Sequence, residues 1–197
     1  PFPRRLASLD LGEDKSISLA PAQLLVWKEP EEGHEYIIGA DVGEGLANGD
    51  ASCAIVLDYR TGEQVAELHG RIPPERFALL AAALGWHYRR ALLAVERNNH
   101  GHSVLNTLRN QLHYPHLYYH VSYDVMGKTQ AMLGWPTDAK TKPILVDDLA
   151  AAIAGRHVLL HSSPLIDELL SFITTDTGKQ EAQPGKFDDR VMALGIA

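Results

Sequence analysis

Four acidic residues stand where an α/β chain would place a reactive site. Asp41 closes the apolar run Tyr36-Ile37-Ile38-Gly39-Ala40, Glu96 closes the run Ala91-Leu92-Leu93-Ala94-Val95, and Asp188-Asp189 open a helical pattern near the C-terminus. Open α/β sheets take their ligands at the C-terminal ends of their strands. Carboxylates gathered there repel one another, which is costly unless a cation sits among them. Oxygen donors with little nitrogen or sulfur select a hard ion such as Mg²⁺ or Mn²⁺. Successive helical residues point about 100° apart, so only one of Asp188 and Asp189 can face the site squarely. A Phe187, Val191, Leu194 stripe turned toward the sheet favours Asp188 as ligand, with Asp189 behind it or as an alternate. Taken singly, a strand-end Asp is more often a turn former, and an Asp pair opening a helix more often complements the dipole. The coincidence of all these positions at one sheet end is what points to chemistry.

The elements that must position these acids follow from periodicity. Tyr36 to Asp41, Ala51 to Tyr59 and Gln64 to Arg71 read as a three-strand antiparallel meander, with Gly43, Gly45, Asn48, Gly49 and Asp50 in its first loop and Arg60-Thr61-Gly62-Glu63 as its second turn. Pro73-Pro74 opens a helix through Phe77, Leu80, Ala81 and Leu84, and Ala91 to Glu96 is a buried strand that this crossover makes parallel to the first. Ser103 to Leu112 reads as a helix, Leu117 to Val121 as a fifth strand, Pro143 to Ile153 as a helix stopped by Gly155, and His157 to His161 as extended. A further helix runs from Ser163 through Ile173, Thr174 to Lys186 is a polar loop, and the last helix begins near Asp188. The expected fold is α/β: a mixed central sheet, three antiparallel strands and then parallel ones, with helices on both faces. Residues 1–34 carry Pro1, Pro3, Pro21, Pro30 and an acidic run; the spacing of Ser18 to Trp27 allows a short helix, and the whole reads as a linker or an arm packed on the domain.

Composition narrows the classes. The 197 residues hold 18 Lys and Arg against 25 Asp and Glu, a net charge of −7, which argues against a tight, sequence-independent nucleic-acid binder acting alone. One cysteine, Cys53, excludes a disulfide framework and a multi-cysteine zinc site. No window is apolar enough to span a membrane and no export signal opens the chain. The chain begins at Pro1 and stops inside an apolar helical run, so it is expected to be a piece of a longer protein.

Several ordered motifs resemble the nuclease domain of phage terminase large subunits. They are Ile38-Gly39-Ala40-Asp41-Val42-Gly43-Glu44-Gly45 with Asp50-Ala51-Ser52, then Val95-Glu96-Arg97-Asn98-Asn99-His100-Gly101, then Gly134-Trp135-Pro136-Thr137 with Thr141-Lys142-Pro143. Gly178-Lys179-Gln180-Glu181-Ala182 and Gly185-Lys186-Phe187-Asp188-Asp189-Arg190-Val191-Met192-Ala193-Leu194 complete the series, which runs from about residue 35 to the end. The resemblance implies an RNase H-like fold and an endonuclease that cuts double-stranded concatemeric viral DNA during genome packaging in the host cytoplasm. It implies two Mg²⁺ or Mn²⁺ ions, with Asp41, Glu96 and Asp188 as catalytic and metal-binding acids and Asp189 beside them. The implied partners are double-stranded DNA, an ATPase domain in the same parent chain ahead of residues 1–34, the portal protein and the small terminase subunit. Phe187 departs from the family's frequent His before the Asp pair. Gly127-Lys128-Thr129 is no Walker motif, because Ser122 stands where the first glycine is required.

Lys128, Lys140, Lys142, Lys179, Lys186 and Arg190 would flank the acids as contacts to DNA phosphates, Lys142 and Lys186 foremost because each lies inside a family-like motif. Arg97 beside Glu96 would pair with an acid instead. His100, His102, His113, His116 and His120 read as structural or solvated positions, Cys53 as core, and Trp86, Tyr88, Tyr118, Tyr119 and Trp135 as packing. Two other readings remain: a junction-resolvase or transposase-like nuclease of the same superfamily, and a non-catalytic assembly domain of a packaging motor. An actin-like nucleotide-binding fold would need two duplicated halves, for which the chain is too short.

Overall fold

Strand residues alternate between two covered faces, and that alternation organises the domain. The structure, a computed structural model, describes residues 2–12, 15–46, 49–123 and 127–197; the expected turn residue Asn48 lies outside them. In chain order the elements are β1 (Arg4–Leu6), β2 (Ser8–Gly12), β3 (Lys15–Ser18), β4 (Gln23–Val26), β5 (Tyr36–Asp41), β6 (Ser52–Asp58), β7 (Glu63–Gly70), α1 (Pro74–His87), β8 (Leu92–Val95) and α2 (Asn99–Asn106). They continue with β9 (Tyr119–Tyr123), β10 (Thr129–Leu133), α3 (Thr141–Ala154), α4 (Ser163–Ser171), β11 (Phe172–Thr174), β12 (Gln180–Ala182) and α5 (Asp189–Ile196).

A six-stranded sheet runs in the order β1-β4-β7-β6-β5-β8. The β5–β6–β7 meander is antiparallel, and the crossover through α1 lays β8 parallel to β5, as expected. Every residue of β6 is buried because each pleat faces a helical layer. Ala54 and Val56 join Ile38, Ala40, Ala66 and Leu68 under α1 and α2, where Phe77, Leu80, Leu84, Val104 and Leu105 cover them. Cys53, Ile55 and Leu57 face the other way, against Leu149 of α3, Leu165 of α4 and Val191 and Leu194 of α5. Burial pushes the Cys53 thiol far up, consistent with an inert core position.

The N-terminal stretch is built into the sheet. The short helix allowed over Ser18 to Trp27 is instead β4, in which Leu24 and Val26 point inward on a two-residue period and pair with β7. The fifth strand expected over Leu117 to Val121 divides. Leu117 bridges Leu93 in parallel at the sheet edge, and Tyr119 onward departs into the β9–β10 hairpin. The second helix starts earlier than its apolar spacing suggests, at Asn99, because the Asn98 side chain accepts from Gly101 N and caps it; it then widens into a π-helical turn over Thr107–Gln111. The helix expected to reach Ile173 stops at Ser171, and Phe172–Thr174 pairs with Gln180–Ala182 inside the stretch read as a polar loop.

Gly39 sets how closely α5 lies on the sheet. A Cβ there would stand 2.1 Å from the Ala193 carbonyl oxygen and 2.4 Å from Ala197 N, both backbone atoms that cannot rotate aside. Gly39→Ala is therefore expected to lower the unfolding free energy by about 2–3 kcal/mol through overpacking. Urea denaturation measures this, and a loss below about 0.5 kcal/mol would mean that α5 is not seated on β5 as described.

Candidate functional site

The parallel register of β5 and β8 pairs Ala40 with Val95, and Glu96 N donates to Ala40 O at 2.8 Å. Asp41 and Glu96 are thereby delivered side by side at the same sheet end. Burial, with the Glu96 carboxylate beside it and then Asp189 and Asp188, holds the Asp41 carboxyl well above the usual carboxylate range. Glu96 is buried, and its Oε2 accepts from Asn98 Nδ2 at 2.5 Å. Asn98 thus caps α2 with its oxygen while orienting Glu96 with its amide nitrogen.

Helix α5 brings the other two acids. Asp188 is its N-cap residue, partly exposed, with Oδ2 3.6 Å from Lys142 Nζ. Asp189 is buried, and desolvation, then Glu168, Asp50 and Asp188, push its carboxyl up to about 7. Asp41, Glu96, Asp188, Asp189 and Lys142 all line one cleft of about 260 Å³, so the structure brings the sequence-derived acids together. It adds Glu44, Asp50, Asn98, His100 and Thr137 to the lining. Their sequence signal lies in the glycine-rich loop after β5 and in the motifs around Glu96 and Trp135, where loop curvature rather than periodicity decides what turns inward.

The motif that carries Thr137 has a positional reason. Trp135 N donates to Val95 O at 2.8 Å and Arg97 N to Trp135 O at 2.6 Å, so this segment pairs alongside Glu96 as an extra sheet edge. Thr141 Oγ1 donates to Pro136 O at 2.5 Å, tying that edge to the start of α3 and placing Lys142 at the cleft. Thr137 Oγ1 is buried there without a hydrogen-bond partner.

The remaining basic candidates separate. Arg190 does not face the cleft: its Nε donates to Glu67 at 2.7 Å and its Nη1 to Glu168 at 2.5 Å, while Glu168 Oε2 accepts Arg190 N at 2.9 Å. Its guanidinium is used inside the domain, where it pins the first turn of α5 to β7 and α4, instead of meeting phosphate as the sequence suggested. Lys128 and Lys186 are exposed and do not line the cleft, and Lys179 pairs with Glu181. Arg97, expected to pair with an acid, rests its guanidinium on Met132 Sδ. Phe187, expected to face the sheet with Val191 and Leu194, is half exposed beside Arg71.

The donor set fits a hard divalent ion. Its oxygens come from carboxylates and the unpartnered Thr137 hydroxyl, and its one nitrogen donor, His100, stands 3.7 Å from Glu44. Among the described residues no three His, Cys, Asp or Glu side chains already stand in ligating geometry.

Residues 38–197 match the model of the terminase RNase H-like domain family, and the chain belongs to that family as a terminase large-subunit nuclease domain. Among solved structures it is similar to the large terminase nuclease from thermophilic phage G20c, at 23% identity and a TM-score of 0.67 over 100% of this chain and 90% of that one. The same nuclease with bound magnesium gives 21% identity and a TM-score of 0.73 over 100% and 89%. The large terminase nuclease domain of Thermus phage P74-26 gives 25% identity and 0.64 over 88% and 83%. No curated protein matches the sequence.

Replacing Arg190 distinguishes an internal tie from a DNA contact. Arg190→Ala leaves Glu67 and Glu168 buried without their cation, and the unfolding free energy is expected to fall by about 3–5 kcal/mol. Chemical denaturation reads this directly; a near-neutral stability change accompanied by weakened DNA binding would return Arg190 to the phosphate contacts.

Proposed function

We propose that this domain is a divalent-ion-dependent endonuclease that cuts double-stranded, concatemeric viral DNA during genome packaging. The observation that carries the proposal is the meeting of Asp41 and Glu96 at one register position, with Asp188 and Asp189 delivered to the same cleft. Mg²⁺ or Mn²⁺ held there, two ions in all, would supply the acidity that activates water and the positive charge that stabilises the leaving 3′ oxygen in an in-line displacement.

The chain's own residues divide the remaining work. Asp41, Glu96 and Asp188 would hold the ions, with Asp189 beside them. Asn98 fixes the Glu96 carboxylate through its amide, so that ligand does not need to be ordered when an ion arrives. Asp189 is the more deeply buried of its pair, whereas Asp188 reaches the surface beside Lys142. Lys142, 3.6 Å from Asp188, would meet a phosphate entering the cleft and exchange Asp188 for it. Hydrolysis by this route leaves 5′ phosphate and 3′ hydroxyl ends. The family likeness supports a parent protein in which an ATPase domain precedes residues 1–34 and acts with the portal protein and the small terminase subunit in the host cytoplasm. Among the described residues no helix is long and apolar enough to cross a membrane.

Supercoiled plasmid incubated with the domain and Mn²⁺, Mg²⁺ or EDTA tests the proposal. Nicking and linearisation are expected with either ion and none in EDTA. Asp41→Asn should reduce cutting more than about 100-fold, since loss of a mere supporting contact to a metal ligand already costs 10–100-fold. In metal-free buffer it should unfold at equal or higher denaturant concentration, because one member of a repelling cluster is gone. Cutting that persists in EDTA or survives the substitution would overturn the assignment. Lys142→Ala should reduce the salt dependence of DNA binding by about one unit of log–log slope, and an unchanged slope would remove Lys142 from the phosphate contacts.

A further inference from the structure

The β5–β8 pair has a second functional end. A groove of about 720 Å³ opens where the two strands begin, and β5 separates it from the acid cleft by about 17 Å at 3.3 Å per residue. Tyr36, Ile37 and Leu92 line it as an apolar wall, and Tyr59, largely exposed, stands at its side. Arg89 and Arg90 supply its charge; among the described residues neither guanidinium has an acid partner or a hydrogen bond, and Glu35 is the one carboxylate lining the groove. Asp58 and Glu31 stand against His34, so the groove's positive charge is concentrated at Arg89 and Arg90.

Both arginines are held in the left-handed region, Arg89 at φ 57° and Arg90 at φ 62°. Tyr88 is the C-cap of α1, so Arg89 occupies the next position, where helices ordinarily place glycine. A cation after a helix C-terminus is favourable in itself, but that benefit does not require two consecutive side chains in a strained conformation. His116 Nδ1 donates to Arg90 O at 3.0 Å, which ties the arginine turn to the far wall and leaves only Nε2 of that ring for a ligand. Two unpaired guanidiniums match the planar, bidentate geometry of a phosphate, and an exposed tyrosine beside an apolar wall suits a planar base.

We propose that this groove binds a nucleotide unit, its phosphate on Arg89 and Arg90 and its base against Tyr59, at a site separate from the acid cleft. The volume lies within the usual range for a small-molecule site and accommodates about one nucleotide. A free mononucleotide and the phosphorylated end of a strand present this same chemistry.

Equilibrium binding to the whole domain in EDTA tests the proposal with inorganic phosphate, thymidine monophosphate and a 5′-phosphorylated oligothymidine as probes. Thymidine monophosphate should bind at least about 10-fold more tightly than phosphate; the oligonucleotide matching it would assign a free nucleotide, and binding at least 10-fold more tightly again would assign a strand end. The double variant Arg89→Gly, Arg90→Gly should abolish binding with a thermal midpoint unchanged or raised, because glycine adopts this conformation without strain. Tyr59→Ala should weaken thymidine monophosphate but leave inorganic phosphate as it was. No binding by the unaltered domain, or equal binding by the double-glycine variant, would overturn the proposal. So would a lowered midpoint with binding retained, which would make the arginines a helix-end support only.

Discussion

The structure depends on one constraint: the register that sets Ala40 opposite Val95 leaves Asp41 and Glu96 nowhere to go but against each other. Two carboxylates in a partly buried site oppose the fold, and burial with Glu96 beside it holds the Asp41 carboxyl well above the usual carboxylate range. Asn98 relieves one side of the strain by donating to Glu96, and the edge through Trp135 closes the other by pairing with Val95 and Arg97. Much of what surrounds the cleft holds in place a cluster that would otherwise separate.

Helix α5 answers the same constraint from the opposite face. It adds two more acids, so it must be held from outside the cleft. Gly39 lets its backbone reach β5, Val191 and Leu194 bury against Cys53 and Ile55, and Arg190 is anchored between Glu67 and Glu168. The Arg190–Glu67–Glu168 group is a buried ion cluster whose isolated members would each be costly, so its intact form fixes position more than it adds stability. Burial lifts the Glu168 carboxyl above its usual range even with Arg190 against it. The charge that the sequence appears to offer to DNA at Arg190 is used to aim its neighbour Asp189.

The meander, the crossover and the acids at two strand ends were legible because each rests on a short, strong pattern: buried runs, two turns and a proline-opened helix. What escaped reading lies where non-local pairing overrides pattern. Gln23–Val26 is too short to declare itself a strand without β7 beside it, and Leu117 and Tyr119 part company only because Gly134 and Trp135 return to the same edge. Asp50, Glu44 and Thr137 reach the cleft through loop curvature that no periodicity encodes, while Asn98 could have been found as a helix cap three residues before Gly101. Phe187 and Arg190 were misjudged for a common reason: a helix face can be inferred from spacing, but the depth of its first turn depends on what Glu168 and Glu67 offer it.

The cleft's charge bears on how cutting is restrained. Six carboxylates line it with one lysine and one histidine, and a phosphodiester approaching that surface is repelled. A divalent ion reverses the sign of the local field, and the ion's own charge then dominates its neighbours. In the proposed reaction, ion and DNA occupancy would therefore be positively linked, each raising the affinity for the other by the same factor. A domain built this way has little grip on passing duplex. In the proposed reaction, cutting would be set by how long a phosphate is held in the cleft.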